Sequence, residues 1–179
     1  MPGDESAESA LNLKVPMPEK IPELTRCLNS GGLSNGLAYL NRRVLHRFTA
    51  VYKFQDDAFW LMAFADKLNE AVPDALGLVA FDDSFCQYSI GLGCFVSPDT
   101  AADKRLDGHV HQATLGSYVG LPIENQAGGI YGTICHMDLK PQSISDNEFG
   151  FLLRSAEVLS HYVMADSRGF GAPSLKQAC

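Results

Sequence analysis

The chain has 179 residues, of which 46% are hydrophobic and 20% charged, with a formal net charge of −7. That length is enough for one domain with a core of its own. The acidic balance excludes a nucleic-acid backbone or an anionic membrane surface as the main partner, and no zinc-finger, RRM or helix-turn-helix pattern offsets it.

The N-terminus, MPGDESAESALNLK, lacks the apolar core of a signal peptide, and the longest apolar run, AFWLMAFA at 58–65, is far too short for a bilayer. Cys27, Cys86, Cys94, Cys135 and Cys179 show no CxxC spacing. Free thiols in a cytoplasmic protein are the expectation.

Residues 1–20, rich in Pro, Glu and Ser, read as a flexible tail. IPELTRCLNSGG (21–32) predicts a short helix stopped by Gly31-Gly32. Ser34 is placed to cap a second helix, with Leu37, Leu40, Val44 and Leu45 on one face. RFTAVYKFQDDAFWLMAFADK (47–67) is β-branched and aromatic, and its break at Gln55-Asp56-Asp57 predicts a hairpin. Apolar residues on both faces of both strands predict a sheet covered on both sides.

Residues 68–82 read as a long connection. Asp83-Ser84 is placed to cap a short helix over 84–92 that ends at Gly91 and Gly93, and a brief strand follows at 94–97. Residues 98–113 are polar and irregular, with Asp99 as a turn cap. Two further strands, 116–124 and 129–138, flank a turn at 125–128. Ser145-x-x-Glu148 is a capping-box pattern. It opens a helix on which Phe149, Leu152, Leu153, Ala156, Leu159 and Val163 recur at helical spacing.

Residues 167–179 read as a second loose tail. The predicted fold class is α+β, one domain over 21–166 with a central antiparallel sheet and its terminal helices on one face.

Cys135-His136-Met137-Asp138 looks at first like a metal site. On a strand, however, Cys135 and Met137 share one face with Tyr131 and Thr133, while His136 faces the other with Ile130 and Ile134. One metal ion cannot take adjacent residues without breaking the ladder, so this is a core strand. His109-x-His111 has a shared face if extended, but two histidines in an exposed loop make a weak metal signal. His46 and His161 read as helix-surface or interface residues. No GxGxxG, P-loop, G-x-S-x-G or HExxH motif is present.

SYVGLPI, a turn, then IYGTICHMD and a proline resembles the signature of the GAF domain. RFTAVYKF resembles the first GAF strand, SFCQYSI the short helix lining the family's pocket, and CFVSPDTAADKRL the strand and loop after it. SISDNEFGFLLRSAEVLSHYV resembles the closing helix, so the resemblance spans roughly 33–165.

It implies a small-ligand pocket on the sheet face opposite the terminal helices, under the short helix as a lid. The lining would be Tyr52 and Phe54, Phe85, Cys86 and Tyr88 of the lid, Tyr118, and Thr133, Cys135 and Met137. The make-up is apolar and aromatic with a few hydroxyls and thiols.

The resemblance further implies a non-catalytic sensor that signals through dimer helices to a separate partner protein, with the stripe Phe149–Val163 as half of the dimer surface. The ligand and any cofactor stay undefined. The alternative is a thiol enzyme similar to the free methionine sulfoxide reductases. Cys86 fits that pattern, but the loop position of the attacking cysteine holds His111 and Gln112, and Cys94 and Cys135 fall elsewhere. A bilin carrier is disfavoured because the family's chromophore residues around Cys86 are not recognisable here, and a haem carrier because His136 faces away from the pocket.

Overall fold

Residues 17–166 are described by the structure, a computed structural model of the chain. Of the expected tails, 1–20 and 167–179, residues 1–16 and 167–179 lie outside them. Helix α1 (Met17–Arg42) starts inside the segment read as a tail and is two helices joined at a break. Gly32 takes φ 67° and ψ −161°, a conformation that a side chain disfavours and glycine reaches at no steric cost. Gly31-Gly32 therefore marks the break, as the sequence predicts. The second half ends at Arg42, so Leu45, 72% exposed, does not extend the apolar face.

β1 (Phe48–Gln55) and β2 (Ala58–Asp66) are joined by Asp56 and Asp57, at φ 53° and 57°. A two-residue type I′ turn requires positive φ at both positions, which aspartate tolerates. The stretch read as a bare connection holds a short helix, α2 (Asp74–Gly77), and a three-residue strand, β3 (Leu78–Ala80), paired to β2. Then come α3 (Cys86–Leu92), β4 (Phe95–Ser97), β5 (Ser117–Glu124), β6 (Ile130–Asp138) and α4 (Asp146–Asp166). The single sheet has the order β3-β2-β1-β6-β5-β4, antiparallel at every junction. The predicted α+β class holds.

α1 and α4 cover one face. Leu24, Leu28, Leu37 and Leu40 of α1 and Phe151, Leu152, Leu159 and Val163 of α4 bury against Val51, Val119, Leu121, Ile123 and Ile134. Each such side chain gains about 1.5–3 kcal/mol by leaving water. Glu148 holds the two helices together at one end, paired with Lys20 (3.2 Å) and with Arg43 (2.5 Å). The capping box is half made. Ser145 Oγ accepts the Glu148 N–H at 3.3 Å, while the Glu148 carboxylate turns to those two cations.

Coverage of both faces fails at β2, where Trp60 and Met62 are 43% and 44% exposed. Met62 is the unpaired residue of a bulge, since Val51 pairs with Ala63 and Tyr52 with Leu61.

Candidate functional site

Three rows cross the middle of the sheet on the face away from α1 and α4. They are Phe48–Met137–Tyr118, Ala50–Cys135–Gly120 and Tyr52–Thr133–Pro122. The middle row is small at both ends, which leaves a depression over Cys135. α3 lies across it. Its first residue, Cys86, and Ser89 are buried, and Ser84 Oγ accepts the Cys86 N–H at 3.1 Å. A side chain at Gly120 would overlap the Tyr118 and Ser89 hydroxyls, so glycine is what lets the lid descend this far.

The depression is filled by a hydroxyl–thiol network. Thr133 Oγ1 donates to Cys86 Sγ at 3.1 Å and the Tyr118 hydroxyl donates to it at 3.2 Å. Ser89 Oγ lies 3.1 Å from that hydroxyl and supports it. Cys135 packs in the same buried cluster as Cys86, and its thiol donates to the Ala50 carbonyl at 3.8 Å.

Burial pushes the Cys86 thiol up, but hydrogen bonds from Cys135, Ser84, Thr133 and Tyr118 outweigh it and hold the group below an ordinary thiol. Its bond to Cys86 and its burial push Cys135 up. Tyr52 and Tyr118 are raised as well, chiefly by burial.

Around the network sit aromatic rings. Phe85 meets Tyr118 edge-on with centroids 5.6 Å apart, and Tyr88 lies 4.9 Å from Phe95. His109 stacks into this group, 4.5 Å from Phe85 and 5.9 Å from Tyr88. Its Nδ1 accepts the His111 N–H at 3.2 Å, so the proton sits on Nε2, which is buried and has no partner. Burial, then His111, lower its basicity.

Eight of the nine residues expected to line a pocket fall in one cluster on this face: Tyr52, Phe54, Phe85, Cys86, Tyr88, Tyr118, Cys135 and Met137. The ninth, Thr133, is bonded to Cys86. Phe54 stands apart at the hairpin end, packed on Phe59 and Phe81, and Tyr52 donates to the Leu76 carbonyl at 3.1 Å.

The sequence reading missed Phe95, Ser89 and His109. Phe95 follows from the alternation of β4, which pairs it with Gly120. Ser89 lies one helical turn from Cys86 and shares its face.

Several expectations are corrected. His109 and His111 are not on an extended exposed segment, because successive turns (Gln112 N–H to His109 O, Thr114 N–H to His111 O) fold the loop and bury the His109 ring edge. Among the described residues, no group of three or more His, Cys, Asp and Glu could hold a metal ion. Asp99 makes no capping bond, while Asp103 accepts from the Arg105 N–H.

His46 is fully buried rather than on a helix surface. It stacks on His136 at 6.0 Å, whose Nδ1 is 2.8 Å from Thr49 Oγ1. Burial, first of all, lowers His46 to about 4 and His136 to about 3. The stripe on α4 is spent inside the molecule, and of its six residues only Leu153, 45% exposed, stands clear of the core. Cys135 lies on β6, away from the loop position held by His111 and Gln112. The thiol held below its ordinary value is Cys86, on the lid.

Two surface grooves include residues of α4. One, of about 340 Å³, runs between Pro122 and Leu153, and the other, of about 430 Å³, between Phe54 and Met164. Among the described residues no helix is long and apolar enough to cross a membrane.

No protein-family profile matches the chain and no curated protein is similar to it in sequence. Solved structures are similar in fold. The GAF domain of an Acinetobacter phosphoenolpyruvate-protein phosphotransferase superposes with TM-score 0.66 at 13% identity, covering 85% of this chain and 95% of that one. The free methionine-R-sulfoxide reductase of Neisseria meningitidis, solved with its substrate, gives 0.67 at 17% identity over 86% and 92%. The chromophore-binding domain of an R. palustris bacteriophytochrome gives 0.64 at 14% identity over 84% and 60%. The chain has the GAF fold.

Proposed function

We propose that this is a sensory or regulatory GAF-type module that takes a small molecule on the lid face, beside α3 at His109. The observation that carries the reading is the His109 Nε2–H, buried without a partner among Phe85 and Tyr88. A buried donor left unmade costs about 1–3 kcal/mol, and a bound acceptor recovers it. The ligand class is therefore a compact, flat molecule with a hydrogen-bond acceptor at its edge. Of the nine expected lining residues, Phe85 and Tyr88 flank His109 and supply the nearest contact.

Signalling follows by linkage, because a ligand that prefers one lid position shifts the population of that position and of the packing behind it. The sheet joins the lid to α1 and α4, which pass the change to a second copy of the chain and to a separate partner protein in the cytoplasm. Leu153 and the exposed His161 flank the part of α4 left free for such a contact. Sulfoxide reduction in the manner of the Neisseria enzyme is not favoured, because His111 and Gln112 stand where the resemblance requires the attacking cysteine.

The test is a native mass spectrum of the purified chain against its denatured mass. The expected result is a dimer with extra mass that is lost on denaturation and reduced in His109→Phe. A correctly folded dimer without extra mass, whose melting temperature is moved by no flat heteroaromatic compound in a panel, overturns the reading.

A further inference from the structure

We propose that Cys86 and Cys135 form a redox-active dithiol that a small hydroperoxide oxidises to a disulfide, pinning the lid helix α3 to the middle of the sheet. Two side-chain donors, Thr133 and Tyr118, converge on one sulfur, and Cys135 lies on the same strand face as Thr133, two residues along. A neutral thiol is a weak acceptor, and a thiolate accepts such donors strongly. An interior with no use for a thiolate would fill this space with aliphatic carbon at lower cost. The second sulfur belongs to the same buried cluster and comes from a different element, so a bond between them restrains the lid.

The oxidant class follows from access. Cys86 is 2% exposed and Cys135 0%, and an oxidant hardly larger than water passes the lid most easily. The Cys86 thiolate attacks one peroxide oxygen, and the O–O bond breaks. The departing oxygen takes a proton and leaves as water or an alcohol, while Cys86 becomes a sulfenic acid. The Cys135 sulfur then attacks the Cys86 sulfur; the S–S bond forms and the S–O bond breaks. The hydroxyl leaves as water with the proton of Cys135. The two thiols together give up two electrons and two protons, and the hydroperoxide takes up both. A low-molecular-weight thiol in excess returns the pair by exchange.

The disulfide does not depend on the ligand reading; only its effect on ligand access rests on that reading. The experiment treats the reduced full chain with hydrogen peroxide, alkylates it in denaturant and maps the peptides by mass. The expected product is a Cys86–Cys135 cross-linked peptide, two hydrogens lighter than its parts and reversed by dithiothreitol. Amide exchange over 84–92 slows in the oxidised chain.

Cys135→Ser is expected to leave Cys86 as a sulfenic acid that a cyclic 1,3-dione traps. Free Cys86 and Cys135 after a treatment that oxidises exposed Cys94 overturns the proposal, and so does cross-linking of either to Cys27, Cys94 or Cys179. Extra mass in the reduced protein with no cross-link leaves the ligand reading standing alone, and the converse leaves the dithiol alone.

Discussion

Strand β6 sends Ile134 and His136 to one side of the sheet and Thr133, Cys135 and Met137 to the other, and the two sides use burial differently. On the helix side the aliphatic side chains of β1, β5, α1 and α4 close on one another, so area removed from water accounts for their packing. Its polar members, His46 and His136 with Thr49 and Asn41, gather where the chain leaves α1 for β1. On the lid side the cover is a seven-residue helix over a row of small residues, and hydroxyls, thiols and a histidine edge are buried among rings. On the helix side polar burial is confined to one end, while on the lid side it runs through the middle of the cover.

The comparison breaks most directly by truncation. Leu159→Ala, at a fully buried position of α4, is expected to cost about 2–5 kcal/mol, because rigid neighbours leave a cavity. Phe85→Ala removes more atoms but sits under a short helix that can settle onto the sheet, so it is expected to cost less than Leu159→Ala. Urea unfolding of the two variants checks this. An equal or larger loss for Phe85→Ala would make the lid side an ordinary core.

The second prediction sharpens the polar part of the helix side. Burial lowers His46 to about 4, with Asp138 opposing and Lys67 assisting, and lowers His136 to about 3. Above about pH 7 both are neutral in the folded and unfolded chain and give no slope. Below the ordinary histidine value the unfolded chain binds protons that the folded one refuses, so stability falls with pH until the folded groups titrate. At about pH 5 the loss is on the order of 2 kcal/mol for each histidine.

Asp66 and Asp103, held at about 2 by Arg47 and Arg105, add their losses only below the ordinary carboxylate range. Melting temperature against pH should therefore fall between pH 6.5 and 4, and more gently in His136→Phe. A flat profile over that range would place both histidines in contact with water.

Local pattern carried much of this. Alternation along 130–138 placed Thr133, Cys135 and Met137 opposite His136, and the order of motifs gave the fold and the lid. Two-fold parity cannot say which element lands on a strand; the resemblance put Cys86 and Cys135 in one lining, but neither motif carried the bonds from Thr133 and Tyr118 to the Cys86 sulfur. His109 and His46 were misplaced for the same reason. Their burial comes from a folded loop and a helix end, and neither has a period. β3 was lost because three residues are too few to show one. Gly120 carried a usable sign, since an isolated glycine in a strand marks close approach by another group.

The smallest expected effect is also the most discriminating. Tyr118→Phe keeps the ring against Phe85 and Phe95 and removes only the hydroxyl that bridges Ser89 and Cys86. One lost hydrogen bond costs about 1 kcal/mol, a small shift in the urea midpoint. The Cys86 thiolate loses a donor, so its thiol moves back up toward the ordinary value and less of it is ionised at neutral pH. Alkylation of Cys86 in the folded protein should then slow, with its pH midpoint displaced upward, while exposed Cys94 reacts as before. If the hydroxyl serves only to fill the core, the variant loses stability and the pH midpoint stays where it was. If it serves the sulfur, the midpoint moves while stability hardly changes, and the lid side is then chemically poised in a way the helix side is not.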